Sequence, residues 1–292
     1  KAGKTATVVI SVRNATNYND YTITVTLTVE NKLTPVLDGA LTLSPAEITY
    51  GQKLSEITIT GTMKAGGQIV EGTFSWKAPD TVLNAGTHSG IAWTFTPQNA
   101  STYTEAAGTV AVKVNKAAQS GAVRMADYTY GTAPSAPVVE NRTGDLSADV
   151  SYYCAKAGSA FTQEWNVSNP PELDAGTYRM YARIAETQNY YMGNAEYCEF
   201  TVWKAAPTYA KPTGLTAKYG QTLGTVALTN PEGNTPGTWS WQTPETVLDQ
   251  LGTLSYDANF QPDDADNYLG VVGASIQVTV GPADGGSLGT GK

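Results

Sequence analysis

The stretches GTFSWKAPDTVL (residues 72–83) and GTWSWQTPETVL (residues 237–248) are near copies of one another. In each, an aromatic residue alternates with Ser or Thr before a Pro-acidic turn and a closing Thr-Val-Leu. Alternation with period two puts Phe74 and Trp76, or Trp239 and Trp241, on one face of a strand and the hydroxyls on the other. One such strand needs others to cover its aromatic face, and the flanking sequence supplies them in a fixed order. A Tyr-Gly step comes before, in ITYGQKL (48–54) and AKYGQTL (217–223). A Gly-Thr step comes after, in LNAGTHSGIAWTFTP (83–97) and LDQLGTLSYDANFQP (248–262). Next comes a corner tyrosine, Tyr103 or Tyr268, and then a closing strand, GTVAVKVNKA (108–117) or ASIQVTVGPA (274–283).

A third copy lies between these two. It reads YTYGTAP (128–134), ADVSYYCAKA (148–157), LDAGTYRMYARI (173–184), Tyr190 and EYCEFTVWKA (196–205). The Tyr-Gly tyrosines, Tyr50, Tyr130 and Tyr219, lie 80 and 89 residues apart. A period of that length is a whole small domain and exceeds a solenoid unit. Residues 8–32 match only the back half of a copy, with a corner at Tyr18 and a closing strand. The expected organisation is therefore the C-terminal half of a preceding repeat over 1–32, repeats over 33–117, 118–205 and 206–283, and a flexible tail over 284–292. The chain reads as opening inside a repeat of a longer array.

Turn-forming Gly, Pro, Asn and Asp punctuate the strands every eight to twelve residues, and no stretch keeps a 3.6-residue period for three turns. The fold class expected is all-β, with tandem antiparallel β-sandwich domains in an elongated array. A β-grasp-like unit, with one helix crossing a sheet, is the alternative. The junctions NKAAQS, WKAAPTYAKP and ENKLTPV are short, and Pro35 and Pro212 stiffen them.

Composition narrows the function. Only 15% of the 292 residues are charged, and the net charge is −8 with a pI near 4.7. That balance lacks the basic footprint of nucleic-acid binding, and no polybasic run faces an anionic membrane. No apolar run reaches the roughly 20 residues of a membrane helix.

The lone histidine, His88, follows the Gly-Thr step and aligns with Tyr178 and Leu254. A general base needs a nucleophile or a second acid beside it, and no repeat preserves one, so no catalytic residue is expected. Gly86 to Phe95 spans nine residues, whereas Gly252 to Phe260 spans eight. A bulge at or just after His88 would absorb the extra residue.

Cys154 and Cys198, both in the middle repeat, fall on inward strand positions. They form a disulfide if their strands are neighbours and remain two buried thiols otherwise. Most aromatics repeat between copies and read as core, and the corner tyrosines read as structural, fastened by their hydroxyls. The unshared aromatics of the middle repeat include Trp165 and Trp203, and three tyrosines, Tyr153, Tyr181 and Tyr191, suggest a ligand platform. The acidic loop QPDDADNY (261–268) reads as a solvated turn, lacking the Gly and terminal Glu of an EF-hand loop. Neither a metal site nor a cofactor is expected.

Taken together, Tyr-Gly-Gln, Pro-x-Thr-Val-Leu, Ala-Gly-Thr, Phe-Thr-Pro with its later Tyr, and the final Val-x-Val-x-Lys-Ala resemble the bacterial Ig-like and MBG-type (Tyr-Gly-X) tandem repeats of large cell-surface proteins. The resemblance covers residues 1 to about 283. The middle repeat departs most, with the insertion GSAFTQEWNVSNPPE and no Gln after Tyr-Gly. The resemblance implies Ig-like sandwiches and a non-enzymatic stalk or adhesin segment on the outside of a bacterium. Its partners would be neighbouring repeats and, for the middle repeat, an extracellular glycan or protein; an extracytoplasmic location would favour the disulfide.

Overall fold

The computed structural model describes residues 4–14, 16–160 and 163–283, and the expected tail over 284–292 lies outside them. Among the described residues every regular element is a strand, apart from two three-residue 3-10 turns, Leu54–Glu56 and Leu223–Thr225. The β-grasp alternative needs a helix across a sheet and is overturned. The chain falls into two compact units, residues up to 119 together with 186–192, and residues 120–185 together with those from 193 onward. These units do not follow the repeat boundaries, because the loop 186–192 of the middle repeat belongs with the first unit.

The first unit opens with an antiparallel hairpin, β1 (Thr5–Val12) and β2 (Tyr21–Thr28), in which Val8 faces Val25 and Ile10 faces Ile23. Every position of both strands is exposed. The first full repeat follows with β3 (Val36–Ser44), β4 (Glu47–Thr49), β5 (Thr58–Ala65), β6 (Gln68–Ile69), β7 (Gly72–Trp76), β8 (Gly86–Pro97) and β9 (Ala106–Asn115). They form two sheets, β3-β5-β6 and β4-β9-β8-β7, in which β4 runs parallel to β9 and the other pairs are antiparallel. Ile59 and Met63 from one sheet meet Trp76, Trp93, Phe95, Val112 and Val114 from the other in a single core. This is a β-sandwich, with aromatics on the positions where the period-two pattern places them.

The quoted stretch shows why this sequence is required. Gly72 opens β7 because a Cβ there would lie 2.4 Å from the Phe95 ring; at Gly237 the clash is with Phe260 at 2.6 Å. The indole N–H of Trp76 donates to the Ile57 carbonyl, and that of Trp241 to the Val226 carbonyl, each at 2.8 Å. Burying a tryptophan without such an acceptor would leave a costly unpaired donor. The Tyr-Gly step is a turn in which Gly51, Gly131 and Gly220 have φ of 99°, 75° and 82°, a region that side chains with a Cβ avoid. The following glutamine secures it: Gln52 Oε1 accepts the Thr49 N–H at 2.8 Å, and Gln221 Oε1 accepts the Lys218 N–H at 2.7 Å.

The second unit holds the strands of the middle and last repeats. The middle repeat comprises β10 (Ser120–Arg124), β11 (Tyr128–Thr129), β12 (Val138–Thr143), β13 (Val150–Lys156), β14 (Gln163–Trp165), β15 (Gly176–Ile184) and β16 (Gly193–Trp203). All seven join one sheet in the order β12-β10-β16-β15-β13-β14, with β11 also paired to β16. Because β10 pairs antiparallel with β12 and parallel with β16, the two layers of a sandwich are continuous here. Val123, Cys154, Met180, Phe200 and Val202 form its core, and Trp165 is buried among them. Trp165 therefore leaves the set of surface aromatics.

The last repeat comprises β17 (Leu215–Lys218), β18 (Gly237–Trp241), β19 (Gly252–Pro262) and β20 (Val271–Gly281), in one sheet ordered β17-β20-β19-β18. It reproduces the inner sheet of the first repeat, parallel edge pair included. Among the described residues no second sheet faces it. Val226, Leu228 and the 3-10 turn at Leu223 cover the core from irregular backbone.

Each long hairpin carries one bulge. In the first repeat the register slips between His88 and Ile91, so the extra residue lies at Ser89-Gly90 of β8, as the residue count predicts. In the middle and last repeats the extra residue sits on the partner strand, between Ala195 and Cys198 of β16 and between Val271 and Ala274 of β20.

Candidate functional site

The bulge explains His88. It returns the ring to a position opposite the buried Val112. There His88 Nε2 lies 2.6 Å from the Asn84 carbonyl oxygen. In the middle repeat the Tyr178 hydroxyl donates to the Asp174 carbonyl at 3.0 Å. Asn84 and Asp174 occupy the same repeat position, so histidine and tyrosine do the same work, tying the strand start to the carbonyl four residues back. A carbonyl oxygen only accepts, so in this bond Nε2 is the donor. That leaves the imidazole as a structural donor.

The cysteines sit on one sheet face but not on neighbouring strands. Cys154 on β13 faces Met180 on β15, and Met180 faces Cys198 on β16. Strands two apart lie roughly 9.5 Å from one another, beyond the reach of a disulfide. Both side chains are thiols. Of the two alternatives, buried thiols are what the register allows. Burial pushes the Cys154 thiol up to about 11, and burial also raises that of Cys198. Neither is a nucleophile at neutral pH.

Of the three platform tyrosines, the structure brings two together. Tyr153 on β13 lies directly opposite Tyr181 on β15, on the outward face of the sheet. Tyr181 stacks on Tyr197 of β16 with centroids 4.9 Å apart, which adds a third ring that sequence reasoning missed. Tyr197 precedes Cys198, and the bulge in β16 brings its ring beside that of Tyr181. Arg183 lies over the Tyr153 ring at 5.8 Å and Arg179 over the Tyr197 ring at 4.9 Å. Arg179 also pairs with Glu199 at 3.0 Å. The result is a flat aromatic ladder edged by two guanidinium groups. Tyr191 is placed differently. It is 53% exposed and belongs to the first unit, beside Ala85, Gly86 and Lys116.

A concave feature also went unforeseen. An open cleft of about 410 Å³ in the second unit is lined by Tyr128, Tyr130, Pro134, Pro170, Pro171 and Tyr268. The sequence signal was the Asn-Pro-Pro insertion of the middle repeat. Burial, then the nearby Tyr178 and Cys154, push the Tyr128 hydroxyl up to about 12, so it stays a neutral donor.

The corner tyrosines do the most regular work. Each lies six residues beyond the end of one strand (Val12, Pro97, Ile184, Pro262) and three before the next begins. Tyr103, Tyr190 and Tyr268 bridge in parallel to Leu33, Ala117 and Ala205, residues of the preceding linkers. The lysine before each linker residue donates to the carbonyl three positions before the tyrosine. Lys32 reaches Ala100, Lys116 reaches Thr187 and Lys204 reaches Ala265, at 2.5–2.7 Å.

At two of these corners an asparagine precedes the tyrosine and reaches the Gly-Thr step of the preceding repeat. Asn189 Oδ1 accepts the Ala85 N–H at 2.8 Å, and Asn267 Oδ1 accepts the Ala175 N–H at 2.7 Å. Their amide N–H groups donate to Asn84 and Asp174. The tyrosine ring packs edge-on against the Tyr-Gly tyrosine: Tyr190 on Tyr50 at 5.4 Å, Tyr268 on Tyr130 at 5.6 Å. The corner rings therefore act through their faces and edges, a correction to the expected hydroxyl bond. The acidic loop has its own role here, because Asp264 accepts from both the backbone and side-chain nitrogens of Asn267. Among the described residues no group of three or more His, Cys, Asp or Glu is placed to hold a metal ion. Among the described residues no helix is long and apolar enough to cross a membrane.

No family model matches the chain. No curated protein matches it either. Among solved structures it is similar to Drosophila N-cadherin EC1-4, with 11% identity over 96% of this chain and 84% of that one, at a TM-score of 0.30. It is also similar to domains 1-6 of the surface layer protein SbsC, with 16% identity over 97% of this chain and a TM-score of 0.27. The chain spans 45% of that fragment's length. A third likeness, to Sidekick-1 immunoglobulin domains 1-5, has 11% identity and a TM-score of 0.25. At these scores the likenesses decide nothing about ancestry or function.

Proposed function

We propose that this chain is a non-catalytic spacer, a stalk segment of a bacterial cell-surface protein built from MBG-type Ig-like repeats over 33–117, 118–205 and 206–283. Residues 1–32 supply the back half of another repeat. The observation that carries this reading is the recurring corner. A linker-to-tyrosine bridge and a lysine-to-carbonyl bond occur at Tyr103, Tyr190 and Tyr268 alike. A linker held at both its backbone and its lysine loses the freedom of a flexible tether. Repetition of such a contact through three divergent copies is what an array under tension requires, whereas His88 and the two thiols are engaged in structural roles.

Small-angle scattering tests it. A stalk gives a long maximum dimension and the cross-section of a single repeat, and Lys116→Ala with Asn189→Ala broadens the distance distribution. Scattering from one compact globule sinks the stalk.

A second reading has its own observation. The Tyr153–Tyr181–Tyr197 ladder, edged by Arg179 and Arg183, offers stacking faces and charged donors to an extracellular glycan or protein. Binding on a glycan array that disappears in Tyr181→Ala supports it, and a blank array removes the glycan form.

A further inference from the structure

The cleft beside Tyr130 opens where the middle repeat leaves the pattern of its neighbours. In the first repeat the Leu54 N–H donates to the Thr81 carbonyl at 3.0 Å, and in the last the Leu223 N–H donates to the Thr246 carbonyl at 2.8 Å. These bonds lace the turn after Tyr-Gly to the segment before Gly-Thr, and both leucines are buried. The middle repeat has Pro134 in place of the leucine and Pro171 in place of the threonine. Proline has no N–H, so the bond cannot form and the Pro171 carbonyl loses that donor. The bridges Lys53–Val82 and Thr222–Val247 likewise have no counterpart between Ala133 and Glu172 among the described residues. Pro134 and Pro171 instead line the cleft of about 410 Å³.

The lining is aromatic and acidic. Tyr130 and Tyr268 stand at 82° to one another with centroids 5.6 Å apart. Two rings at right angles make a corner in which one cation can meet both π-faces. Glu172, exposed in the lining, stands where the other repeats carry Val82 and Val247. Burial raises the pKa of the Tyr130 hydroxyl, and Asp264, Tyr268, Asp174 and Glu172 raise it further. Among the described residues none of these three carboxylates pairs with a lysine or arginine, and neither residue type lines the cleft. The corner is an interior one with a repeat on each side, and Asn267 already bonds Ala175 there.

We propose that this cleft binds an arginine side chain presented on an exposed segment of a partner protein. The guanidinium would stack in the Tyr130–Tyr268 corner, its N–H groups would donate to the Glu172 carboxylate and the Pro171 carbonyl, and its aliphatic stem would lie against Pro134 and Pro170. Arginine fits better than lysine, because its planar group stacks on a ring while donating several hydrogen bonds in its own plane. The surrounding negative charge draws a basic segment in and repels an acidic one. The site shares no residue with the Tyr153–Tyr181–Tyr197 ladder and stands apart from the stalk reading. One side chain in an open cleft makes a weak contact, and repetition of such contacts between two surfaces would strengthen it.

Titration of the isotope-labelled full chain with the peptide acetyl-Gly-Arg-Gly-amide, followed by NMR, tests this. Saturable shifts are expected at Tyr130, Tyr268 and Glu172, with affinity falling several-fold as salt is raised. Glu172→Val installs the residue of the other two repeats, so the fold should persist while affinity drops by about tenfold. Tyr130→Phe keeps the π-face and should bind within about twofold of wild type, whereas Tyr130→Leu should lose binding. Should Tyr130→Leu perturb the circular dichroism, Glu172→Val carries the test. The matching lysine peptide should bind more weakly, and the leucine peptide and acetyl-Pro-Pro-Pro-amide should cause no saturable shift. The proposal is overturned if the arginine peptide causes none at these residues, if Glu172→Val binds it as wild type does, or if the lysine, leucine or proline peptide binds equally well.

Discussion

The first and last repeats share their most similar sequence and differ in half of their structure. Both build a four-stranded sheet with one parallel edge, both seat a tryptophan N–H on a backbone carbonyl, and both place a leucine-led 3-10 turn against it. The first repeat then adds the sheet β3-β5-β6, while the last covers the same core with irregular backbone. The covering sequences explain the difference. Residues 58–65 read TITGTMKA and alternate; the matching stretch reads ALTNPEGN, with Pro231 and Gly233 interrupting it. A proline removes a ladder donor and fixes φ, so a central strand cannot form there. The inner sheet and its aromatics thus define the repeat, and the second sheet is an optional cover.

The largest effect should come from the shared tryptophan. Trp76→Ala and Trp241→Ala each empty a large core site and orphan the carbonyl of Ile57 or Val226, at a cost of about 3–5 kcal/mol. Denaturant titration followed by tryptophan fluorescence should show the last repeat unfolding first in Trp241→Ala. Equal midpoints for the two variants would mean that the second sheet contributes little.

A sharper way to break the comparison uses two matching threonines. Thr60 lies in the middle strand of the outer sheet and pairs with Thr42. Thr229 occupies the corresponding place in the last repeat, outside any strand. Thr60→Pro is expected to cost about 3 kcal/mol and Thr229→Pro less than about 1 kcal/mol. Comparable losses in thermal or chemical unfolding would show that residues 226–235 pair as a strand in solution.

The glutamines of the Tyr-Gly-Gln turns should have smaller, matched effects. Gln52→Ala and Gln221→Ala each remove one hydrogen bond to a backbone N–H and are expected to cost about 1 kcal/mol by the same unfolding assay, with Gln52→Ala also losing an exposed bond to Glu56 at 2.7 Å. The middle repeat has Thr132 at that position, whose hydroxyl donates to the Thr129 carbonyl at 2.6 Å instead.

The middle repeat should also differ in alkaline solution. The Cys154 thiol ionises near 9 when unfolded and at about 11 in the fold. The unfolded chain therefore loses this proton first, and the contribution present below pH 9 is lost as pH rises toward 11. Cys198 shifts in the same direction. The expected outcome is a falling midpoint for the middle repeat over that window, shallower in Cys154→Ala, with no counterpart from thiols in the first and last repeats.

Much of this was legible in the residues. Phe74, Trp76, Trp239 and Phe260 are predicted inward by alternation alone and pack in the cores. The bulge beside His88 followed from counting to a shared phenylalanine. Tyr153 and Tyr181 could be paired by strand parity, but Tyr197 joins them only through the bulge in β16, which shifts its register against β15. The cysteines show the same limit: parity puts both on one face, while their separation depends on β15 running between them.

The sequence by itself determined the all-β class, the repeat, the inner sheet and the aromatic core, because each follows from local alternation and turn chemistry. Only the tertiary structure decided which surfaces meet. Asn189 finds Ala85, 104 positions away, and Asn267 finds Ala175, 92 positions away, through shapes that no short window encodes. The continuous sheet of the middle repeat was decided in the same way. Strand pairing is a contest between edges distant in the chain, and β10 joins β12 and β16 because both edges reach it in the folded chain.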